Sequence, residues 1–254
     1  MISKNKISEL RQLHQKKYRD KLSLFMVEGT KSVCDLLDSG MTVRELYASE
    51  NWINEYRHLI SNEIEIFCVT NSEMERLSNF KTPQEVLAVV ATPEFCIRDI
   101  DEKLPLLVLD NIRDPGNMGT IIRTADWFGF RQILCSDTSV EFTNPKTIQA
   151  TMGSFCRVNM FFSNLSAFLK ARKENGNVFG TYMEGKSISE LKFPLNAVFV
   201  IGNESNGISE EVRPFINEKI HIPSPAIPGQ KAESLNASVA AAIVLYQYSV
   251  SSGK

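Results

Sequence analysis

Apolar residues in this chain fall into short runs separated by polar turns, and helical and strand-like rhythms alternate along it. The polar, lysine-rich stretch Lys4–Arg19 predicts a helix, followed by a β-like run at Leu22–Val27 and a helix over Gly29–Leu37 that stops before Gly40. Val43–Ala48, Ile64–Val69 and Val86–Ala91 predict strands, with a helical piece at Ser72–Leu77 between the last two. Together these make a compact α/β unit of ~90 residues. The stretch Ala91–Pro105 then mixes prolines with several charges, which puts a boundary near Thr92–Lys103. We therefore expect a first domain over residues 1–95, a linker over 96–104 and a second domain over 105–254.

The second segment opens with the apolar run Leu106–Leu109, a loop of Gly, Pro and Asn, and a helix over Thr120–Phe128 stopped by Gly129. A strand at Ile133–Cys135, a helical stretch around Lys146–Met152 and a helix over Leu165–Glu174 closed by Gly176 come next. Strands at Val178–Thr181 and Ala197–Ile201 follow. Runs that are apolar at successive positions fit strands covered on both faces, as in a parallel sheet. The chain closes with a short helix after Ser209, a strand over Lys219–Ile222, a Pro-rich loop over Pro223–Gly229 and a helix over Ser234–Tyr248. That last helix is apolar almost all round and predicts packing on several sides, another subunit included.

Composition narrows the classes. A hydrophobic content of 43% in 254 residues supports a real core and excludes a fibrous or disordered protein. Apolar runs such as Ala237–Tyr246 are far shorter than the ~20 residues of a bilayer span, and the polar start Met1–Arg19 has no secretory core, so we expect a cytoplasmic protein with no membrane partner. Cys34, Cys68, Cys96, Cys135 and Cys156 are widely spaced, and the histidines are not arranged as ligands, so reduced thiols and no metal are expected. A formal charge of -2 gives no global attraction to phosphate, and any nucleic-acid contact must come from a local patch. One candidate is the run Lys4, Lys6, Arg11, Lys16, Lys17, Arg19 and Lys21, opposed only by Glu9 and Asp20. It reads either as a solvated helix face or as an RNA contact.

Candidate chemistry lies in three loops that each follow a predicted strand, at the sheet edge where α/β folds bind ligands. The first runs from Asp110 through Asn111, Ile112, Arg113, Asp114, Pro115, Gly116, Asn117 and Met118 to Gly119. Asn117 is placed to cap the following helix and Arg123 lies one turn inside it, where a cation suits an anionic group or pairs with an acidic neighbour. The second loop, Gly202-Asn203-Glu204-Ser205-Asn206-Gly207, is a tight polar turn with backbone donors and acceptors. The third leads from Ile220-His221-Ile222-Pro223 through Pro228-Gly229-Gln230 to Ser234-Leu235-Asn236, where Ser234 can cap the last helix and Asn236 can present an amide. His221, alternating with isoleucines, reads as a surface or core-edge residue.

Taken in this order, the loops resemble the three motifs of the SpoU family of RNA 2′-O-ribose methyltransferases, within the SPOUT superfamily. They read here as Asp114 to Gly119 through Arg123-Thr124-Ala125, Ile201-Gly202-Asn203-Glu204 through Gly207, and Ile222-Pro223 through Ser234-Leu235-Asn236. The first domain resembles the ribosomal-protein-like substrate-binding domain of such enzymes. The resemblance implies a parallel-sheet α/β methyltransferase domain with a trefoil knot, preceded by a smaller α/β RNA-binding domain. It also implies S-adenosylmethionine as methyl donor and a homodimer in which both subunits complete the site.

Residue by residue, the resemblance makes Arg123 the catalytic arginine, Asn117 its support, and Glu204, Ser234 and Asn236 polar residues of the same site. Gly202, Ile222 and Leu235 match positions that hold the cofactor, joined by Thr181. Two departures stand out: the connection from Pro223 to Ser234 is long and proline-rich, and Asn203 occupies a position where a small residue is common. The implied reaction methylates a ribose hydroxyl of structured RNA, ribosomal RNA ahead of transfer RNA. A guanidinium stays protonated in proteins, so Arg123 suits phosphate fixation and charge stabilisation better than proton abstraction. Two alternatives stay open: an RNA-binding protein that keeps the fold without turnover, and a methyltransferase of the same superfamily acting on a base nitrogen.

Overall fold

The structure, a computed structural model, describes residues 2–224 and 233–252. Pro228, Gly229 and Gln230, and with them most of the Pro-rich loop, lie outside the described residues. The chain divides into two compact units, Met1–Glu94 with Glu141–Arg157, and Phe95–Val140 with Val158–Lys254.

The first unit is built on a mixed sheet of β1 (Leu24–Glu28), β2 (Val43–Ala48), β3 (Glu65–Cys68) and β4 (Val86–Ala91) in the order β1-β4-β2-β3. β4 runs antiparallel to both neighbours, while β2 and β3 are parallel. Five helices precede or separate these strands: α1 (Lys4–Gln12), α2 (Lys16–Leu22), α3 (Thr30–Leu37), α4 (Glu50–Tyr56) and α5 (Asn71–Leu77). Ile7, Leu10 and Leu13 bury against Tyr47, Met74 and Leu87 on one face of the sheet. The single helix expected over Lys4–Arg19 is in fact two, because Gln15 adopts extended backbone between them.

That break has a consequence for charge. Arg19, expected in the basic run, is buried; its guanidinium donates to the Leu13 carbonyl at 2.9 Å and pairs with Glu141. Lys6 pairs with Glu45 at 2.6 Å and Lys16 with Asp20 at 3.1 Å. Arg19 is therefore a structural residue that holds the Glu141–Arg157 stretch, and cannot face RNA.

That stretch carries the short helix α7 (Pro145–Thr151) and docks on β1 through aromatic packing. Phe142 and Phe155 both meet the Phe25 ring edge-on, at 6.0 and 6.1 Å between centroids. Gly153 has φ of 93°, and a Cβ there would lie 2.3 Å from an Asp35 carboxylate oxygen, so glycine is what permits the close approach. Asp35 in turn pairs with Arg157 at 3.1 Å and Lys31 at 2.8 Å.

The second unit is a six-stranded sheet, parallel throughout, formed by β5 (Leu106–Leu109), β6 (Gln132–Ser136), β7 (Asn159–Ser163), β8 (Val178–Ser187), β9 (Val198–Ile201) and β10 (Glu218–His221). The strand order is β10-β8-β9-β5-β6-β7. The expected buried parallel sheet is thus present: β5 and β9, unbroken apolar runs, are fully buried, and β6 is buried too, with polar Gln132 and Ser136 at its ends. Helices α6 (Pro115–Trp127), α8 (Leu165–Arg172) and α9 (Ala237–Ser251) belong to this unit, and α7 (Pro145–Thr151) to the first. After β7 the chain crosses to the other side of β5 and fills that half of the sheet, which makes the β5–β9 boundary the point where strand order reverses.

The last helix is less uniform than its composition suggests. Ala237, Ala241, Val244, Leu245 and Tyr248 are buried, and the Tyr248 ring packs on Phe130 and Phe199. Val239, Tyr246 and Val250 are exposed, and Tyr246 meets Phe128, next to the exposed Trp127 of α6. No helix among the described residues is long and apolar enough to cross a membrane.

Candidate active site

The C-terminal ends of β5 and β9 lie side by side, so the segments leaving them meet. Sequence reading placed a loop through Gly119 and a helix from Thr120; α6 instead begins at Pro115. The cap is Asp114, whose carboxylate accepts from the Asn117 backbone N–H at 2.7 Å, and Pro115 takes the first helical position, where its missing N–H costs nothing. Asn117 is therefore not the cap. Its side chain is released for other work.

The Asn117 amide donates to Glu204 Oε1 at 2.5 Å, and its Oδ1 accepts from Asn236 Nδ2 at 2.9 Å. One residue in the first turn of α6 thus ties the loop after β9 to the start of α9. Asn236, rather than the expected Ser234, caps α9: its Oδ1 accepts from the Ser238 backbone N–H at 2.9 Å and from Val239 at 3.4 Å. Ser234 instead donates to the Glu204 carbonyl at 3.4 Å.

The loop after β9 is closed on itself. Asn203 and Gly207 exchange backbone hydrogen bonds at 3.1 and 2.8 Å, and Asn203 Oδ1 accepts from the Ser205 and Asn206 N–H groups. Asn203 Nδ2 reaches across to the Asn111 carbonyl at 3.0 Å, giving a structural reason for asparagine at this position. At Gly202 a Cβ would lie 2.3 Å from the Gly207 carbonyl carbon and 2.4 Å from the Ile208 nitrogen. A side chain cannot enter, so the turn keeps its backbone tightly folded.

Two supporting residues had no assigned role in the sequence reading. Asp110 is 3% exposed at the end of β5, and its Oδ2 accepts from the Ser209 N–H at 2.7 Å, fixing the far end of the β9 loop. Asn111 carries φ of 61°, and its N–H donates to Ser136 Oγ at 2.9 Å. The Asp-Asn pair ending an apolar strand was the available signal.

The remaining expected residues are more dispersed. Thr181 lies within β8 and its hydroxyl donates to the Val200 carbonyl at 3.2 Å. Ile222 is half-buried just past β10, and Leu235 is 46% exposed beside the Asn236 cap. Because α6 starts early, Arg123 lies more than two turns inside it, not one. It is exposed on the same helical face as Trp127, and no ion pair or hydrogen bond involves its side chain among the described residues. The acidic neighbour weighed from sequence is thus absent there. His221 is half-buried at the sheet edge, as expected for a core-edge residue.

The segments after β5 and β9 and the start of α9 thus meet at the strand-order reversal of a parallel sheet, with Arg123 exposed on α6. The model of the SpoU rRNA Methylase family matches residues 105–246, and that of the MRM3-like substrate binding domain matches residues 4–88. The chain belongs to the SpoU rRNA methylase family. It is similar to the 23S rRNA (guanosine(2553)-2'-O)-methyltransferase RlmP of Bacillus subtilis, with 30% identity over 95% of this chain and 94% of that protein. Among solved structures it resembles a TrmH-family chain from Porphyromonas gingivalis, at 33% identity and a TM-score of 0.88 over 98% of both chains. It also resembles the AdoMet-bound rRNA methyltransferase of Sinorhizobium meliloti, at 27% identity and a TM-score of 0.87, covering 98% of this chain and 95% of that one.

Proposed function

We propose that this protein transfers a methyl group from S-adenosylmethionine to a ribose 2′-hydroxyl of ribosomal RNA. The observation that carries the reading is the bridge from Glu204 through Asn117 to Asn236, which joins all three motif loops into one framework. The family relation and the ribosomal RNA substrates named for the relatives support it.

The residues present suit the cofactor. Gly202 holds a backbone turn that no side chain can enter, and exposed Leu235 offers apolar surface beside the capped helix. Gly202, Ile222 and Leu235 would hold the cofactor, with Thr181 at the neighbouring strand. When bound, S-adenosylmethionine supplies a methyl group already activated by positive sulfur. The ribose hydroxyl is then the poor partner, and the protein's task is to align it and stabilise its developing charge.

Arg123 serves that second task as a permanent cation, fixing the adjacent phosphate while the hydroxyl proton passes to phosphate or water. Its exposed position beside Trp127, together with the exposed Val239, Tyr246 and Val250 of α9, of which Tyr246 meets Phe128, supports a homodimer in which Arg123 serves the partner's site. Ser234 lines the loop at Glu204. The first unit would bind RNA, the second would form the knotted methyltransferase domain, and the protein would work in the cytoplasm.

The test is incubation with radiolabelled S-adenosylmethionine and total RNA, separating rRNA from tRNA and mapping modified nucleosides. The expected product is a ribose-methylated nucleotide in rRNA, lost in Arg123→Ala. Label on a base moves the protein to the base-methylating alternative, and cofactor binding without label on any RNA supports the non-catalytic one.

A further inference from the structure

Arg113 precedes the Asp114 cap of α6 and has no part in the chemistry described above. It is exposed, yet its side chain is anchored: Nε–H donates to Asn111 Oδ1 at 2.8 Å. Asn111 is itself held at both backbone groups. Its φ of 61° is a left-handed conformation that asparagine tolerates, its N–H donates to Ser136 Oγ at 2.9 Å, and its carbonyl accepts from Asn203 Nδ2 at 3.0 Å. Asn203 in turn closes the loop that carries Glu204. The Arg113 guanidinium is therefore seated on the same framework as Asn117 and Glu204, past the end of β5 where the strand order reverses.

The charge on that guanidinium is not neutralised. The bond to Asn111 leaves the terminal nitrogens with all their N–H donors, and no ion pair of Arg113 occurs among the described residues. Carboxylates of the same loops are already engaged: Asp114 accepts from the Asn117 backbone and Glu204 from the Asn117 amide. An arginine with one nitrogen anchored loses less freedom when the others bind, and its planar fork matches the oxygens of a phosphate. Charge elsewhere does little to hold RNA, since the chain carries a net charge of -2 and Lys6, Lys16 and Arg19 of the N-terminal run each face a carboxylate. A local cation at the site therefore counts for more.

We infer, on the reading of the protein as an RNA methyltransferase, that Arg113 binds an RNA phosphate flanking the target nucleotide, as a substrate-binding cation additional to Arg123. The other anion that comes to such a site is the carboxylate of S-adenosylmethionine. An exposed position on the rim suits the polymer, whose phosphates stay in water on either side of the ribose, better than a small ligand held at the backbone turn of Gly202. In the dimer proposed above Arg123 serves the partner's site. Arg113 serves the site of its own protomer, because the residues that hold it are the ones that hold the loop of Glu204. RNA is thereby gripped from both subunits, and neither arginine replaces the other.

The test is steady-state methylation by the full chain of ribosomal RNA transcribed in vitro, over a range of salt concentrations, with S-adenosylmethionine affinity measured by calorimetry on the same preparations. Arg113→Gln is expected to raise KM for RNA about threefold to tenfold, the effect of one exposed charge-assisted contact, and to leave kcat and cofactor affinity within about twofold. The slope of log KM against log salt should fall by about 0.7–0.9, the loss of one phosphate contact. Arg113→Lys keeps the charge without the Asn111 bond, so its salt slope should match wild type and its KM should lie between the two. A KM and slope unchanged in Arg113→Gln overturn the inference. A lysine variant as impaired as the glutamine one overturns it as well, making Arg113 a prop for Asn111, and so does weakened cofactor binding, which assigns the guanidinium to the methionine carboxylate. Wild type that methylates while Arg113→Gln keeps its KM refutes the inference alone, whereas wild type that transfers no methyl group removes the activity reading and the inference with it.

Discussion

Replacing Asn117 with alanine removes the bond to Glu204 at 2.5 Å and the acceptor for Asn236 at 2.9 Å, while leaving the Asp114 cap of α6 untouched. A hydrogen bond to a carboxylate contributes about 1.5–3 kcal/mol and a neutral one about 0.5–1.5 kcal/mol, before water replaces them. These groups are half-buried or exposed, so water satisfies the orphaned atoms and the net loss of stability should be near the lower end, about 1 kcal/mol. For a chain of this size that lowers the melting temperature by about 2–4 °C. The catalytic loss should be larger. Without the bridge the β9 loop and the start of α9 lose their common anchor, and misplacing a reacting group by ~1 Å costs about a hundredfold in rate. We expect kcat/KM for RNA to fall about a hundredfold, measured by steady-state methylation beside a thermal melt of the same preparation. Activity within threefold of wild type, with the melt lowered as expected, would refute the view that this bridge organises the site.

Gly202→Ala places a methyl 2.3 Å from the Gly207 backbone; cofactor affinity by calorimetry should drop at least tenfold while the α/β circular dichroism persists, and unchanged affinity would remove Gly202 from the cofactor site. Tyr246→Glu puts a charge in the exposed stripe of α9, and sedimentation should show monomers that have lost methylation; a monomeric wild type would defeat the dimer reading. Burial alone would raise the Asp35 carboxyl, but hydrogen bonds from Lys31 and Arg157 outweigh it and hold it below the usual carboxylate range. Its contribution to stability is therefore present above about pH 4 and lost as pH falls through the depressed value. In urea titrations the gap between wild type and Asp35→Asn should accordingly close below pH 4, and a gap that widens there contradicts the assignment.

The elements most legible in the sequence were those with unbroken apolar runs. Val86–Ala91 and Leu106–Leu109 coincide with β4 and β5, because burial on both faces leaves little room for polar residues, and Val43–Ala48 coincides with β2, whose second half is buried. β7 escaped notice because it is an edge strand in which Met160, Phe161 and Phe162 are bracketed by Asn159 and Ser163. α4 carries no such signal, because Trp52 is its one buried residue and no apolar face repeats. The start of α6 was misplaced because Gly116 and Gly119 were read as loop formers, although Asp114 followed by Pro115 is a helix-start pair.

In the site, residue identities were legible and their bonding was not. Asp114 and Asn236 take the caps expected of Asn117 and Ser234: the expected cap of α6 is a bridge, and the expected amide donor is also a cap. Several side chains in each loop can serve as caps, and the choice among them is made by contacts over long sequence separations. Arg19 shows the same limit, since nothing local announces that one cation of a basic run will bury against Glu141.

The excursion of Glu141–Arg157 into the first unit bears on how this protein can be dissected or exchanged with its relatives. A cut at the linker expected over residues 96–104 does not separate two self-sufficient modules, because Glu141–Arg157 belongs to the first unit. The downstream piece would retain Phe142, Ile148 and Phe155 with no β1 to cover them, each worth about 1.5–3 kcal/mol of burial, and the upstream piece would expose Phe25 and strand Arg19 without its carboxylate. Grafting a foreign RNA-binding half onto this catalytic half therefore demands that the excursion travel with the donor, as an internal exchange rather than a terminal one.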